Sequence, residues 1–177
     1  MIFTETKLGG VYLLDPRRFA DERGFFAPSF SASEFAARGM ASLFVEGNIS
    51  YSARRGTLRG MHYQAAPHGQ AKLVRCTRGA VYDVVADLRP DSPTYGEWVG
   101  VELTAENRRM IYLPGDCAHG FQTLADDTEV FYIVSHPYAP ESGRGFRWDD
   151  PAFRIEWPEE GERVLIKRDQ EYPDHTL

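Results

Sequence analysis

A chain of 177 residues can bury most of its apolar surface around one core without disulfide or metal staples, so a single domain over residues 1–177 is expected. With 42% hydrophobic and 26% charged residues it reads as a globular protein, and a formal net charge of -6 argues against a general nucleic-acid or anionic-membrane surface. No apolar run approaches the ~18 residues that cross a bilayer, and Met1-Ile2-Phe3-Thr4-Glu5 lacks the basic and long apolar regions of a signal peptide, so a cytoplasmic protein with Cys76 and Cys117 reduced and buried is expected.

In chain order, Leu8 to Leu14 reads as a strand ended by the Asp15-Pro16 turn, and Phe19 to Phe26 as a polar turn flanked by aromatics. Those aromatics either pin the loop to the core or stack on a flat ligand. Ser31-Ala32-Ser33-Glu34 fits a capping box opening a short helix that Gly39 ends. From Leu43 to Val134, short β-branched or aromatic runs alternate with Gly, Pro, Asn and Asp, the pattern of an all-β sandwich or barrel. Strands are expected at 43–46, 56–63, 72–77, 80–88, 97–103, 109–113, 119–123 and 129–134, with Arg78-Gly79 turning a hairpin between the third and fourth. The fold class is therefore all-β, a jelly-roll sandwich with one short N-terminal helix. Beyond Pro137 an irregular tail is expected, with turns at Trp148-Asp149-Asp150-Pro151 and Trp157-Pro158-Glu159-Glu160.

Polar groups interrupt these runs. Lys72 shares a strand face with Val74 and Cys76, so it either snorkels from a strand end or presents a fixed cation to an oxyanion. Arg59, His62, Asp83, His119 and Tyr132 also sit in strand-like stretches, and an interior that gathers several such groups is more plausibly a cavity than a dry core. His62 and His119 have no closely spaced third ligand, so no metal site is expected, and no phosphate-loop, nucleophile-elbow or other cofactor motif is present. An imidazole, a phenol and cations suit removal of a carbon-bound proton beside a carbonyl, stabilisation of the enolate and return of a proton to the opposite face.

Arg59-Gly60-Met61-His62-Tyr63-Gln64, Lys72-Leu73-Val74, Gly79-Ala80-Val81-Tyr82-Asp83-Val84, Asp87-Leu88-Arg89, Ser92-Pro93-Thr94-Tyr95-Gly96, Ala118-His119-Gly120-Phe121 and Trp148-Asp149-Asp150-Pro151 together resemble the dTDP-4-dehydrorhamnose 3,5-epimerase family, from about Asp21 to Asp169. The resemblance implies a cupin-type jelly roll, a homodimer, no cofactor, and epimerisation at C3 and C5 of a nucleotide-diphospho-4-keto-6-deoxyhexose. By position, His62 corresponds to the base, Asp169 to its orienting partner, Lys72 to the enolate-stabilising cation and Tyr132 to the acid. Arg59, Asn48 and Glu46 fall at pyrophosphate, sugar or nucleotide contacts, with Lys167 beside Asp169. His119 with Asp83 falls near the reacting sugar, Tyr138 and Phe121 at an aromatic wall, and Arg23 and Phe26 on an arm reaching a nucleotide in the neighbouring subunit. Glu46 stands where the family commonly has Gln, Pro28 where it has Glu and Ile166 where it has Ser, which leaves the nucleotide open among dTDP, CDP, GDP and UDP. The alternatives are a C3-only epimerase, a 3,4-ketoisomerase, a non-catalytic sugar-nucleotide binding module and a metal-dependent cupin oxygenase.

Overall fold

A computed structural model describes residues 1–158 and 161–176; Glu159 and Glu160, part of one expected turn, lie outside the described residues. The chain opens with β1 (Ile2–Glu5), β2 (Tyr12–Asp15) and a small hairpin of β3 (Phe19–Asp21) and β4 (Gly24–Phe26), followed by α1 (Ala32–Ala36). Then come β5 (Glu46–Ser52), β6 (Leu58–Gln64), β7 (Lys72–Arg78), β8 (Ala80–Asp87), β9 (Trp98–Thr104), β10 (Met110–Leu113), β11 (Cys117–Thr123) and β12 (Thr128–Val134). The C-terminal region adds β13 (Gly143–Gly145) and α2 (Lys167–Glu171).

Two antiparallel sheets face each other, one of six strands in the order β1-β2-β10-β7-β12-β5 and one of five in the order β13-β6-β11-β8-β9. This is the expected all-β jelly-roll class. Alternation fills the space between them: Val74 and Cys76 of β7, Val81 and Val85 of β8, Ile111 and Val130 are buried together. A fully buried Val or Ile contributes roughly 1.5–3 kcal/mol. The opposite face of β8 sends Val84 and Ala86 into a second cluster roofed by Phe146, Phe153 and Trp157, so the tail wraps the five-stranded sheet. Helix α1 covers the outer face of the other sheet through Phe35, which meets Phe3, Phe30, Phe44 and Tyr112 edge-on. Its cap is half the expected box: Ser31 Oγ accepts from the Glu34 N–H at 3.4 Å, while the Glu34 carboxylate faces the Met1 amino group at 3.4 Å.

Four expectations need correction. The strand expected from Leu8 to Leu14 begins only at Tyr12 and runs through Asp15, because Leu8 to Gly10 turn the chain between β1 and β2, with the Val11 N–H donating to the Leu8 carbonyl at 3.0 Å. β7 and β8 are not a hairpin pair: Gly79, at φ +74°, passes the chain from one sheet to the other, and β7 pairs with β10 and β12 while β8 pairs with β11 and β9. The strand expected over 43–46 begins at Glu46 and runs to Ser52, because its less exposed residues are polar, with Ser50 and Ser52 lining a cavity, while Ile49 and Tyr51 are exposed, which inverts the usual pattern. The tail is not wholly irregular, since it contains β13 and α2.

Candidate active site

The geometry that assembles the site begins with a bulge in β6. His119 of β11 lies opposite His62 and Phe121 opposite Arg59, so one residue, Gly120, faces two, Gly60 and Met61. In a regular strand residues three apart point to opposite faces; the extra residue turns Arg59 and His62 to the same inner face. Close approach makes this possible. A Cβ on Gly60, at φ +133°, would lie 2.6 Å from the Cα of Gly120, and one on Gly120 would lie 2.9 Å from the Arg59 carbonyl oxygen.

Arg59, His62, Phe121, Lys72, Tyr132 and Asp169 line a cavity of about 580 Å³ at one end of the sandwich. His62, Lys72, Tyr132 and Arg168 also line an adjoining lobe of about 570 Å³ that reaches Tyr138, Arg144 and Tyr172, so these four form a wall common to both.

His62 Nε2 lies 2.8 Å from Asp169 Oδ1, and Asp169 Oδ2 accepts from the Gly60 N–H at 3.2 Å. Burial alone would raise the Asp169 carboxyl, but the hydrogen bond and charge of His62, the Gly60 N–H and Arg168 outweigh it and hold it below the ordinary carboxylate range. An ionised carboxylate only accepts, so Nε2 carries the proton and Nδ1 of a neutral His62 is the basic atom.

Lys72 makes no hydrogen bond or ion pair among the described residues. It keeps some surface open to the cavity, yet desolvation pulls its ammonium down to about 8, with Asp83 opposing. Tyr132 is pushed up by burial, with Arg59 opposing and Glu46 adding to the rise, so its phenol stays protonated at neutral pH. Asp83, fully buried, holds His119 Nε2 through both carboxylate oxygens at 3.0 and 2.9 Å. Arg59 is anchored by Nε to Ser52 Oγ at 3.2 Å and by Nη2 to the Tyr51 carbonyl at 2.9 Å.

Of the remaining sequence-derived positions, Asn48 and Glu46 occupy β5 opposite Tyr132 and Val134, just outside the cavity lining. Lys167 is 85% exposed, pairs with Glu171 at 3.5 Å and lines neither lobe. Its neighbour Arg168 lines both. Arg23 and Phe26 belong to the exposed β3–β4 hairpin, where Asp21 grips the Arg23 guanidinium and Phe26 stacks on Phe19; neither lines the cavity. Sequence reasoning missed Arg168, Tyr172 and the β5 serines Ser50 and Ser52. Only the serines had a readable signal, the every-second-residue polar series Glu46, Asn48, Ser50, Ser52. Among the described residues no group of three or more His, Cys, Asp or Glu side chains gathers in a way that would hold a metal ion.

A base on a carboxylate, a cation that makes no ion pair among the described residues and a protonated phenol around one cavity are the parts of a proton-transfer site. Residues 5–176 match the model of the dTDP-4-dehydrorhamnose 3,5-epimerase family. The chain belongs to that family. A dTDP-4-dehydrorhamnose 3,5-epimerase from Sinorhizobium fredii is 45% identical over 173 residues, covering 98% of this chain and 89% of the relative. Among solved structures, the Bacillus anthracis dTDP-4-dehydrorhamnose 3,5-epimerase with TDP and pyrophosphate bound superposes with a TM-score of 0.93 at 40% identity, covering 98% of this chain and 99% of that one. A 3'-monoepimerase from Streptomyces bikiniensis in complex with dTDP-quinovose superposes at 0.87 with 36% identity, covering 96% and 85%. The family resemblance carried by the sequence motifs therefore holds along nearly the whole chain.

Proposed function

We propose that the chain is an epimerase that inverts C3 and C5 of a dTDP-linked 4-keto-6-deoxyhexose, supplying a precursor of deoxysugar polymers. The observation that carries this reading is that His62, Lys72 and Tyr132 share the common wall, with His62 fixed by Asp169. His62 Nδ1 takes the proton from the carbon next to the C4 ketone, and the C–H electron pair moves into the ring as the carbonyl becomes an enolate. The Lys72 ammonium faces the new oxyanion, with His119 held ready beside it by Asp83. Tyr132 then protonates the carbon from the opposite face; the phenolate regains a proton and His62 releases one before the second carbon reacts. Arg59 and Arg168 are the cations suited to the diphosphate, and Asn48, Glu46, Phe121, Tyr138 and Lys167 are assigned to the surrounding contacts with sugar and nucleotide.

The dTDP assignment draws on the TDP and dTDP-quinovose carried by the two structural relatives. Three further parts belong to this reading. Residues 1–177 act as one catalytic domain. The enzyme is a homodimer in which Arg23 and Phe26 reach the neighbouring subunit's nucleotide; the exposed Phe26, Leu43 and Ile49 supply apolar surface for such a contact. It works in the cytoplasm, a reducing setting that suits the free, buried Cys76 and Cys117.

The test is proton exchange. In deuterium oxide the enzyme is expected to wash deuterium into C3 and C5 of the dTDP-4-keto sugar, read by NMR, and exchange at neither carbon sinks the proposal. Exchange at C3 alone would give the activity of the 3'-monoepimerase relative instead. Tyr132→Phe separates the two half-reactions: wash-in persists while net inversion drops by about 10²-fold or more, because the enolate forms but lacks its acid on the far face. Equal loss of both would remove Tyr132 from the acid role.

A further inference from the structure

His62 lies in a row of cross-strand neighbours, with His119 on one side and Gly145 on the other. Directly opposed residues normally support each other through their side chains. Gly145 has none. Its place is taken by a ring from another element: a Cβ on Gly145 would lie 2.6 Å from Cε2 and Cζ of Tyr172. The Tyr172 ring in turn meets the His62 imidazole at 6.0 Å between centroids and 64° between planes. Tyr172 is the C-cap residue of α2, three positions after Asp169, so one short helix delivers the carboxylate to Nε2 and an aromatic ring to the side of the same imidazole. The strap is tied down just beyond, where the His175 N–H donates to Asp150 Oδ2 at 2.6 Å and the His175 ring packs on Phe146 and Phe153.

The geometry points to Tyr172 as a positioning residue for the base: its ring, seated in the notch left by Gly145, holds the His62 imidazole at the angle that keeps Nε2 on Asp169 and Nδ1 toward the cavity, and shields the His62–Asp169 hydrogen bond from water. A single hydrogen bond leaves an imidazole free to swing about that bond; a ring packed beside it removes the swing. The role lies in the ring rather than the hydroxyl.

This inference rests on His62 being the base. The test uses Tyr172→Ala and Tyr172→Phe in the full chain, with two readings. In steady-state kinetics Tyr172→Ala is expected to lower kcat about 10–10²-fold with KM within about threefold of the parent, and Tyr172→Phe to restore kcat to within about threefold. In proton NMR without substrate, the low-field Nε2–H resonance of His62 is expected in the parent and the Phe variant and broadened by solvent exchange in the Ala variant. An unchanged kcat in Tyr172→Ala overturns the proposal. So does a raised KM with kcat intact, which would make Tyr172 a wall for substrate, or a Phe variant as impaired as Ala, which would move the role to the hydroxyl. If the Ala variant does not fold, Tyr172→Leu half-fills the notch without an aromatic ring, and a parental kcat and resonance in it overturn the role of the ring. Because the resonance is read without substrate, a parent that shows it yet exchanges no deuterium into a 4-keto sugar fails as an epimerase while the positioning of His62 stands.

Discussion

Replacing His62 by Ala lowers turnover about 10²–10⁴-fold, the contribution expected of a positioned general base, and deuterium wash-in at both carbons falls with it. The loss reaches exchange as well as inversion because no enolate forms without the base, which is what separates this variant from Tyr132→Phe. The variant also leaves the Asp169 carboxylate buried beside a cavity, with only the Gly60 N–H and the charge of Arg168 to support it. In the parent the depressed Asp169 carboxyl contributes stability that is fully present above its unfolded value of about 3.9 and is lost as pH falls through the lower folded value. His62→Ala weakens that contribution, so its thermal transition near neutrality is expected to fall, while His62→Gln, which keeps an N–H donor for Asp169, recovers part of the stability and none of the activity. Calorimetry beside a wash-in assay checks both. A His62→Ala enzyme that still exchanges at the parental rate would transfer the base role elsewhere.

Lys72→Met is expected to move activity and stability in opposite directions. Loss of the oxyanion's cation lowers kcat about 10²–10³-fold. Yet the ammonium sits where desolvation pulls it from 10.5 to about 8, so between those values the unfolded chain binds a proton that the folded chain does not. The sign follows: lysine opposes folding below pH 8, and stability rises with pH from about 8 to 10.5. Allowing for water that the cavity admits, the penalty at pH 7 is on the order of 2 kcal/mol. The Met variant, of similar length and uncharged, is therefore expected to melt higher than the parent at pH 7, with the gap closing above pH 10. In the parent, turnover that depends on the ammonium falls as pH rises through about 8. A destabilised Met variant with normal activity would show that Lys72 serves the fold rather than the chemistry.

Parts of this site were legible because they obey simple periodicity. Lys72 sharing a face with Val74 and Cys76 follows from strand alternation, and the structure puts those neighbours in the inter-sheet core; Tyr132 stood out as a phenol in a β-branched and aromatic run, and it packs against the same core. The Arg59–His62 pair was visible as two polar groups in one span, but a three-residue spacing does not announce a common face; that depends on the bulge. β5 was displaced because a strand facing a cavity is polar inside and apolar outside. The Gly79 turn looked like a hairpin because positive φ serves a hairpin and a sheet-to-sheet crossover alike, and the choice is made by β10 and β12, distant in sequence. Helix α2 is five residues long and its N-cap, Ile166, makes no side-chain cap, so nothing local marked it; Asp169 was reached through family motifs alone. Tyr172 was hidden for the same reason, since its meaning depends on an empty position at Gly145.

The mutual approach of Gly60 and Gly120 has a consequence for how the protein can change over generations. A methyl group at Gly60 would meet the backbone of Gly120, and one at Gly120 would meet the backbone and sulfur of the segment Arg59 to Met61. Most steric damage in a protein can be repaired by trimming the neighbour that is struck. Here the Met61 side chain can yield, but the remaining atoms in the way belong to the main chain and the facing residue is already the smallest, so neither glycine offers a second-site suppressor for the other. The two glycines are a pair without an escape route in sequence space, and the inward turn of Arg59 and His62 is inherited with them.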